Sequence, residues 1–298
     1  PALAAPAELT AVGRTVGIRL REDGVTVTGF AEGGHAEAAG IRAGDRILRI
    51  NGTAVETAED IAALTGSGEA VTVTVARGGA EAEYLVEPVA QDGRWILGLR
   101  VRDSISGIGT VTYYDPENGT FGALGHGVCD SSALLPLRSG LALPAAVTSV
   151  TRGEVGTPGA LHGAVTGRSP RGTIRSNTER GIFGTMAPPQ DASPLPTAAA
   201  AQVHTGSATI LSNVSGTETR EYAVQIVSVE PDEPQGRNLR LAVTDDALLA
   251  QTGGIVQGMS GSPILQDGRL VGAVTHVLVN EPAAGYGILI ENMLAAAG

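Results

Sequence analysis

The sequence predicts a mainly β protein of two domains, and three observations support this class. The chain of 298 residues contains 42 glycines and 16 prolines, and only 17% of its residues are charged. This composition is typical of many turns between short strands. The hydrophobic content of 42% indicates a folded chain, and the length allows two domains that each bury a core. Aromatic residues make up only 3%, so Val, Ile, Leu and Ala must build these cores.

The charge and the cysteine content exclude several classes of function. A net charge of -11 disfavours nucleic-acid binding, because a phosphate backbone requires a basic protein surface. Cys129 is the single cysteine, which rules out an internal disulfide and a zinc site made of several cysteines. The histidines show no metal-ligand spacing with a second His, Asp or Glu. We therefore expect no metal and no other cofactor.

No stretch of the sequence is typical of a transmembrane helix, since uncharged runs such as Ala192–Gly216 are broken by Pro, Gly, Ser and Asn. The chain begins at Pro1, in an Ala- and Pro-rich segment (Pro1–Glu8), rather than at Met. Such a beginning is consistent with the removal of a signal peptide or membrane anchor. We expect residues 1–11 to be a linker, and membrane contact only through an upstream anchor.

A first module is expected at residues 12–90. Alternating apolar residues predict strands at Val16–Leu20 and Val25–Phe30, joined by a turn at Glu22–Gly24. The other elements expected here are a short helix at His35–Ile41, a strand at Gly44–Ile50 before the Asn51-Gly52 turn, a helix from Thr57 to Leu64 with a capping-box start, and strands at Val71–Ala76 and Glu83–Val89.

The stretch Ala-Gly-Ile-Arg-Ala-Gly-Asp-Arg-Ile-Leu-Arg-Ile-Asn-Gly (Ala39–Gly52) closely resembles a bacterial PDZ domain. The resemblance implies an apolar-Gly-apolar loop whose N–H groups bind the C-terminal carboxylate of a peptide, which then adds a strand to the sheet. Val16, Gly17 and Ile18 form the matching loop, and the helix from Thr57 would be the other wall of the groove. The alternative is a PDZ fold that only packs against its neighbour.

The second region, residues 91–298, begins after a short polar joint at Gln91–Gly93. Short apolar strands alternate there with Gly, Pro and Asn turns, which fits a barrel or sandwich of about a dozen strands. Asp191–Ala201, rich in Pro and Ala, is expected to be a surface loop or a short helix.

A candidate nucleophile lies in Gly-Met-Ser-Gly-Ser-Pro (Gly258–Pro263), within a run that carries no charge from Ala247 to Gln266. Glycines on both sides of Ser260 allow a tight turn that exposes its hydroxyl, and the amides of Gly258 and Ser260 could then bind an oxyanion. The hexapeptide resembles the Gly-Asp-Ser-Gly-Gly-Pro of chymotrypsin-like serine proteases. The alternative is an ordinary Gly/Ser turn between two strands.

A candidate base and a candidate acid precede this serine. His126 lies between two glycines after the Asn118-Gly119 turn, which would hold an imidazole open to a cleft. Asp245 follows the alternating strand Leu239–Val243, where its carboxylate could accept the imidazole N–H and stabilise the imidazolium. Asp246 and Asp130 are further candidates for the acid. Asp245 could equally cap a helix that starts at Ala247.

Several longer motifs resemble the stage IV sporulation protein B (SpoIVB) peptidase family, and the resemblance covers nearly the whole chain. They are Gly122–Gly127, Gly253–Pro263, Gly272–Val277, Asp103-Ser104 with Gly107–Thr110, and Asn177–Glu179 with Gly181–Gly184. The resemblance implies a PDZ domain followed by a chymotrypsin-like double β-barrel peptidase domain. It also implies a catalytic triad of His126, Asp245 and Ser260, in that order along the chain.

The family resemblance also implies a biological role. Its members are serine endopeptidases of spore-forming bacteria, made with an N-terminal membrane anchor, that act between the forespore and mother-cell membranes. They cleave themselves and a regulatory protein. This cleavage leads to activation of a mother-cell sigma factor. The PDZ domain is accordingly expected to bind a protein substrate or the chain's own cleaved terminus.

Further expectations concern substrate binding and alternative functions. Thr252–Gly258 contains no acidic residue, which predicts no requirement for Lys or Arg at the cleavage site. Thr275 and His276 are expected in a strand that binds substrate, with the His276 ring either lining the cleft or packed in the core. One rival function is an inactive PDZ adaptor that binds peptide C-termini. A second is a housekeeping quality-control protease, but there the PDZ domain follows the protease domain.

Overall fold

The computed structural model describes residues 8–130, 133–190 and 193–298. Contacts divide the chain into two compact units. The first contains the chain up to Arg19 together with Ser106–Leu135 and Ser139–Gly298, and the second contains Leu20–Ile105 with Pro136–Arg138. The segment Asp191–Ala201, predicted to be a loop or short helix, lies partly outside the described residues. The part that is described holds a short strand and the start of a 3-10 helix (Ala200–Gln202).

The strands before Ser139 are β1 (Glu8–Ala11), β2 (Thr15–Arg21), β3 (Val25–Phe30), β4 (Arg46–Ile50), β5 (Thr53–Ala54), β6 (Val71–Arg77), β7 (Ala80–Val86), β8 (Val89–Gln91), β9 (Arg94–Ile96), β10 (Leu99–Arg102), β11 (Ile105–Tyr114), β12 (Thr120–Ala123), β13 (Cys129–Asp130) and β14 (Ala133–Leu134). The later strands are β15 (Ser139–Thr151), β16 (Ala160–Val165), β17 (Gly172–Thr178), β18 (Gly181–Met186), β19 (Pro194–Pro196), β20 (Gly206–Ser215), β21 (Glu218–Val229), β22 (Leu239–Val243), β23 (Pro263–Gln266), β24 (Arg269–Val277) and β25 (Ala284–Leu289). The helices are α1 (Ala58–Thr65), α2 (Asp246–Thr252) and α3 (Ile290–Ala297). None of the helices in the described residues has the length and apolar character needed to cross a bilayer.

Six strands of the first unit form a ring in the order β12-β18-β17-β15-β2-β11, which the pairing of β11 with β12 completes. Beyond β11 the sheet continues through β1 to β19, and β16 pairs with β15. In β11 the residues Thr110–Tyr114 are all buried. This strand therefore lies in the interior, where its side chains can hold other segments in place.

A second barrel in the same unit closes in the order β20-β21-β22-β25-β24-β23. Its core contains Ile210, Val224, Leu241, Ile264 and Val274, each at most 2% exposed. Burying a side chain of this size stabilises the fold by about 1.5–3 kcal/mol. The prediction of a mainly β protein with two barrels in its larger domain is confirmed.

The second unit has a sheet in the order β10-β3-β4-β6-β7, with β5 paired to β4 and a separate β8–β9 hairpin. The predicted capping box of α1 is present, since Thr57 accepts from the Asp60 N–H while the Asp60 carboxylate accepts from the Thr57 N–H. The short helix predicted at His35–Ile41 is instead a series of turns. The hydrogen bonds there have mixed spacings, since the Ala39 N–H donates to the His35 carbonyl, the Gly40 N–H to the Glu37 carbonyl and the Ile41 N–H to the Ala36 carbonyl. Such a succession of turns does not form the regular ladder of a helix.

The structure divides the chain differently from the boundaries 1–11, 12–90 and 91–298 expected from the sequence. The second unit is inserted between β2 and β11, so that the residues before Leu20 contribute a strand to the first barrel. Residues 91–105 belong to the second unit. The physical reason is that the alternation in β2 specifies which face is buried, but not which sheet the strand joins.

Candidate active site

The backbone before His126 makes a tight turn with positive φ angles. Leu124 has φ 70° although it carries a side chain, and the Gly125 N–H donates to the Ala123 carbonyl at 2.9 Å. This is the hydrogen bond of a γ-turn, a strained conformation that is rare outside functional sites. A Cβ on Gly125 would lie 2.9 Å from Thr275 Cγ2. Glycine at this position therefore lets the His126 turn pack against β24.

The loop after His126 is held by the side chain of Asn177. Its Oδ1 accepts from the Val128 N–H at 2.9 Å, and its Nδ2 donates to the carbonyls of Val128 and Leu135 at 2.8 and 2.9 Å. The sequence indicated Asn177 only as part of a family-like motif, without a role. The structure shows that it fixes the loop that carries the imidazole.

The tautomer of His126 follows from its hydrogen bond. Its Nδ1 lies 2.9 Å from the Gly127 carbonyl oxygen, which can only accept, so Nδ1 carries the proton and Nε2 keeps a lone pair. Burial lowers the pKa of His126, and the hydrogen bond to Gly127 opposes this only in part. The ring is therefore a neutral base at neutral pH.

The loop that contains Ser260 is held by β11. The Thr110 hydroxyl donates to the Gly258 carbonyl at 3.2 Å, and the Thr112 hydroxyl donates to the Gly261 carbonyl at 2.8 Å. The Thr110 N–H also donates to the Ser260 carbonyl at 3.1 Å. Both threonines are completely buried. The carbonyl groups of this loop are thus directed at β11.

The amides of the same loop are left free. Within the described residues, neither the Gly258 N–H nor the Ser260 N–H donates to an acceptor. Gly258 has φ +96° and Gly261 has φ +94°, and a Cβ on Gly261 would lie 2.1 Å from the Thr110 carbonyl oxygen. Glycine is required at Gly261 for this close approach. The loop can therefore offer the two N–H groups that the sequence analysis assigned to an oxyanion hole.

His126 and Ser260 line one pocket of about 210 Å³. The other lining residues are Ile255, Val256, Gln257, Val274, Thr275, His276 and Val277. Ser260 Oγ donates to the Thr275 carbonyl at 3.2 Å, and no hydrogen bond joins it to His126 among the described contacts. The candidate nucleophile and the candidate base thus share a site, with the hydroxyl turned to a different acceptor.

Asp245 does not join this pocket. It is the N-cap of α2, where its Oδ1 accepts from the Leu248 N–H at 2.9 Å and its Oδ2 from the Ala223 N–H at 3.4 Å. The described contacts of His126 include no carboxylate. Asp245 is seen here in the alternative role that the sequence left open, as a helix cap, because the free N–H groups of a helix start bind a preceding carboxylate. No described contact joins it to His126, so its role as the triad acid stays a prediction. Asp246 is the first residue of α2, and Asp130 ends β13.

Thr275 and His276 lie near the end of β24 and line the pocket. β23 pairs with β24 only between Arg269 and Ala273, so on that side the residues after Val274 have no strand partner in the described sheet. The His276 ring is half-buried, 5.5 Å from the His126 ring between centroids, with the planes inclined by 41°. Burial, with smaller effects from His126 and Arg237, lowers the pKa of His276 to about 4. His276 thus lines the cleft instead of packing in the core.

Val16, Gly17 and Ile18, expected to bind a peptide carboxylate, lie in β2 of the first unit. β2 is paired with β15 on one edge and β11 on the other, so its backbone groups are already used. The assignment is therefore corrected: this apolar-Gly-apolar run is an interior barrel strand. The pattern alone cannot distinguish a loop that binds a carboxylate from a buried strand.

A second apolar-Gly-apolar run, Leu97-Gly98-Leu99, lies in the second unit and leads into β10, an edge strand of its sheet. α1 runs alongside this segment. The Thr65 hydroxyl at one end of α1 lies 3.5 Å from the Trp95 carbonyl, and the Ala58 N–H at the other end lies 3.5 Å from the Asp103 carboxylate. This run has the same apolar-Gly-apolar pattern that suggested Val16–Ile18 as the carboxylate-binding loop, so the pattern occurs at both places in the sequence.

Among the described residues, no group of three or more His, Cys, Asp or Glu could hold a metal ion. Cys129 is exposed, with a free thiol. The pocket itself brings together a hydroxyl, a neutral imidazole and two amide groups without acceptors, which are the groups that nucleophilic catalysis by serine requires.

Comparisons with known proteins agree with this description. The sequence matches the profile of the SpoIVB peptidase S55 over residues 93–294 and that of a PDZ domain over residues 26–77. One similar solved structure is that of Rv3671c from M. tuberculosis H37Rv, in the inactive form of a serine-to-alanine mutant. It is 16% identical, has a TM-score of 0.35, and covers 65% of this chain and 82% of that chain. This likeness is too distant to support a functional assignment. Because the first profile matches more than half of the chain, the chain belongs to the SpoIVB peptidase S55 family of serine peptidases and carries a PDZ domain.

Proposed function

We propose that the chain is a serine endopeptidase in which Ser260 is the nucleophile and His126 the general base. The observation that carries the proposal is that both side chains line one pocket, beside two amide groups without acceptors. Ser260 Oγ leaves the Thr275 carbonyl, turns to His126 Nε2 and attacks the peptide carbonyl. His126 takes the hydroxyl proton and then gives it to the leaving amine.

The amides of Gly258 and Ser260 stabilise the negative charge of the tetrahedral intermediate. Donors of this kind stabilise such transition states by about 3–4 kcal/mol each. Their position is set by β11, since the hydroxyls of Thr110 and Thr112 hold the carbonyls of the loop. The donors are thus oriented before substrate binds, and no reorganisation is needed during the reaction.

The substrate is a protein segment that binds in extended form along Thr275 and His276, where β24 has an unpaired edge. None of the residues that line the pocket is an acid. A buried carboxylate is what a pocket needs in order to select Lys or Arg. We therefore expect uncharged side chains to be accepted next to the cleaved bond.

In the cell, the proposed role is that of a signalling peptidase of a spore-forming bacterium. It is exported to the space between the forespore and mother-cell membranes, cleaves itself and a regulatory protein, and so leads to activation of a mother-cell sigma factor. Membership of the SpoIVB peptidase S55 family supports this role. Cleavage of candidate regulatory proteins by the purified chain, with Ser260→Ala as the control, would test it.

The chemical proposal is tested with a fluorophosphonate probe, which reacts with activated serines. We expect labelling of the native chain and none of Ser260→Ala, with the two proteins showing the same circular dichroism. Equal labelling of both, or labelling of neither, would favour the inactive adaptor. Mass spectrometry of the labelled peptide identifies the modified residue.

The second unit, Leu20–Ile105 with Pro136–Arg138, contains the PDZ match and is named the PDZ unit. It supports a second function, binding of a peptide C-terminus between β10 and α1. The free edge of β10 and the position of α1 beside it favour this function. The bound terminus would be that of a substrate or the chain's own cleaved end. Fluorescence anisotropy with a labelled peptide, as free acid and as C-terminal amide, measures it. We expect the acid to bind and the amide to bind much more weakly, and equal binding of acid and amide would contradict the proposal.

A further inference from the structure

We propose that the chain binds a small oxyanion, of the phosphate or carboxylate class, in a second pocket that is lined by Arg14 and Arg171. This pocket has a volume of about 250 Å³ and lies within the first unit. It shares no lining residue with the pocket that contains Ser260, so binding there is independent of the reaction proposed at that serine. Four further polar residues line it, namely Thr15, Thr166, Gln190 and Thr217.

Two of the lining residues are fixed to the strand β15 by their backbones. The Arg171 N–H donates to the Ala142 carbonyl at 2.8 Å, and the Thr166 N–H donates to the Pro144 carbonyl at 2.8 Å. On its other side, the Arg171 carbonyl accepts from the Ala187 N–H at 2.9 Å. The backbone of both residues is therefore positioned before a ligand arrives, which reduces the entropy lost on binding.

A third lining residue, Thr217, belongs to the turn between β20 and β21, which is also tied to β15. Gly216 in this turn and Val147 in β15 exchange two backbone hydrogen bonds, at 2.8 and 3.0 Å. The buried Asn213 side chain donates to two carbonyls of the same hairpin, at 3.0 and 2.6 Å. In the described part of the chain, the hydroxyls of Thr166 and Thr217 have no hydrogen-bond partner. These hydroxyls are therefore free to donate to a ligand.

The two arginines carry the charge of the pocket. Arg14 is half-buried, and its backbone carbonyl accepts from the Val111 N–H at 3.0 Å. Among the described residues, no carboxylate accepts from the guanidinium of Arg14 or Arg171, and no acid lines the pocket. Acidic residues outnumber basic ones by 31 to 20 in this chain, so carboxylate partners for arginine are abundant elsewhere. Their absence from the lining leaves two positive charges available to a ligand.

The chemistry of these side chains selects the ligand. Two like charges that line one pocket repel each other, and partial burial reduces their hydration. A bound anion replaces this repulsion by attraction. The guanidinium of arginine is a planar fork of N–H donors that matches two oxygens of a phosphate or carboxylate. The volume of about 250 Å³ lies below the range of about 300–1,000 Å³ that accommodates drug-sized ligands. The pocket therefore suits a small oxyanion.

The experiment measures binding of inorganic phosphate and, separately, of succinate to the full chain by isothermal titration calorimetry. Sodium chloride keeps the ionic strength constant in a buffer without other oxyanions. We expect one ligand per chain, and the tighter of the two probes distinguishes a phosphate site from a carboxylate site. Arg14→Gln and Arg171→Gln should each weaken binding about 10- to 100-fold, because each removes charge-assisted hydrogen bonds. The melting temperature of the native chain should rise with ligand concentration.

Arg168→Gln is the matched control. Arg168 is exposed and lies in the same loop as Arg171, but it does not line the pocket. Its substitution removes the same charge and should leave binding unchanged. Arg14→Lys keeps the charge and loses the fork, so it should bind with intermediate affinity. If Arg14→Gln disturbs the fold, this variant and the exposed Arg171→Gln carry the test.

Two results would overturn the inference. One is that neither phosphate nor succinate binds to the native chain. The other is that Arg168→Gln weakens binding as much as Arg171→Gln does, since the effect would then reflect only the overall charge of the protein. Both results are independent of fluorophosphonate labelling at Ser260, so the proposed function is tested separately.

Discussion

Asp45 in the PDZ unit and two polar side chains in the pocket around Ser260 differ in how their buried polar atoms are paired. In the PDZ unit Asp45, 1% exposed, accepts from the Arg77 guanidinium at 2.6 and 2.5 Å and from the Arg42 N–H at 2.8 Å. In the pocket, Thr275 Oγ1 and His276 Nδ1 are buried without partners in the described residues. The difference teaches that the Asp45 carboxylate is placed so as to stabilise the fold. Under the proposed function, the unpaired Thr275 Oγ1 and His276 Nδ1 are available to a bound substrate.

The largest expected effect tests the pocket. His126→Ala removes the proposed general base, and we expect the rate of fluorophosphonate labelling of Ser260 to fall about 10²- to 10⁴-fold. His162→Ala, which changes an exposed histidine, serves as the control and should keep the native rate. Labelling of a folded His126→Ala protein at the native rate would show that the pocket does not activate Ser260.

A second test asks whether the loop carbonyls depend on β11. Thr112→Val keeps the shape of the side chain and leaves the buried Gly261 carbonyl without its donor. The free energy of unfolding should fall by about 1–3 kcal/mol, and labelling should slow about 10-fold as the loop shifts. Thr173→Val, which removes an exposed hydroxyl, should change neither quantity. Chemical unfolding and labelling rates provide both measurements.

A third test addresses the pairing of Asp45 with Arg77 in the PDZ unit. Burial raises the pKa of Asp45, but the hydrogen bonds from Arg77 and Arg42 outweigh it, so that its pKa is lowered overall. Its contribution to stability is therefore present above the unfolded-state pKa of about 3.9 and is lost as the pH falls through the lower folded-state pKa. Asp45→Asn should cost about 1–3 kcal/mol at neutral pH and remove this acid dependence. Thermal unfolding from pH 7 to pH 2 measures both, and an unchanged profile would contradict the pairing.

A smaller effect is expected at the cap of α2. Asp245→Ala removes the acceptor for the Leu248 N–H and should lower the free energy of unfolding by about 1 kcal/mol, without changing the labelling rate per folded molecule. Asp245→Asn should restore the stability. Loss of labelling in both variants would show that the Asp245 carboxylate takes part in the reaction, and it would weaken the contrast between the two regions.

The smallest expected effect is a shift in the pH at which the labelling rate reaches its acidic midpoint. Burial lowers the pKa of His126, and the base acts in its neutral form, so the acidic midpoint of the labelling rate should lie below about 6.5, the ordinary value for histidine. A carboxylate partner would raise the pKa and move the midpoint above this value. The labelling rate between pH 4 and pH 9 therefore also tests whether His126 lacks an acidic partner.

Local patterns of the sequence determined the strands, the PDZ domain and the turns around His126 and Ser260. The alternation of apolar residues predicts the strands, because side chains of a strand point to opposite faces in turn. The stretch Ala39–Gly52 indicated the PDZ domain, and the glycines around His126 and Ser260 indicated turns that present a side chain to a cleft. Each of these signals depends on a few neighbouring residues, whose conformational preferences act wherever the segment lies in the fold.

The tertiary structure alone decided which distant groups meet. It placed Val16 in a barrel strand, since a buried alternating segment fits any sheet with a free edge. It gave the carboxylate of Asp245 to a helix start, brought Asn177 to the loop after His126, and set the ring of His276 beside the ring of His126. Hydrogen bonds and ring contacts form only over a few ångströms. The partner of a polar side chain therefore depends on packing, which spacing along the chain does not specify.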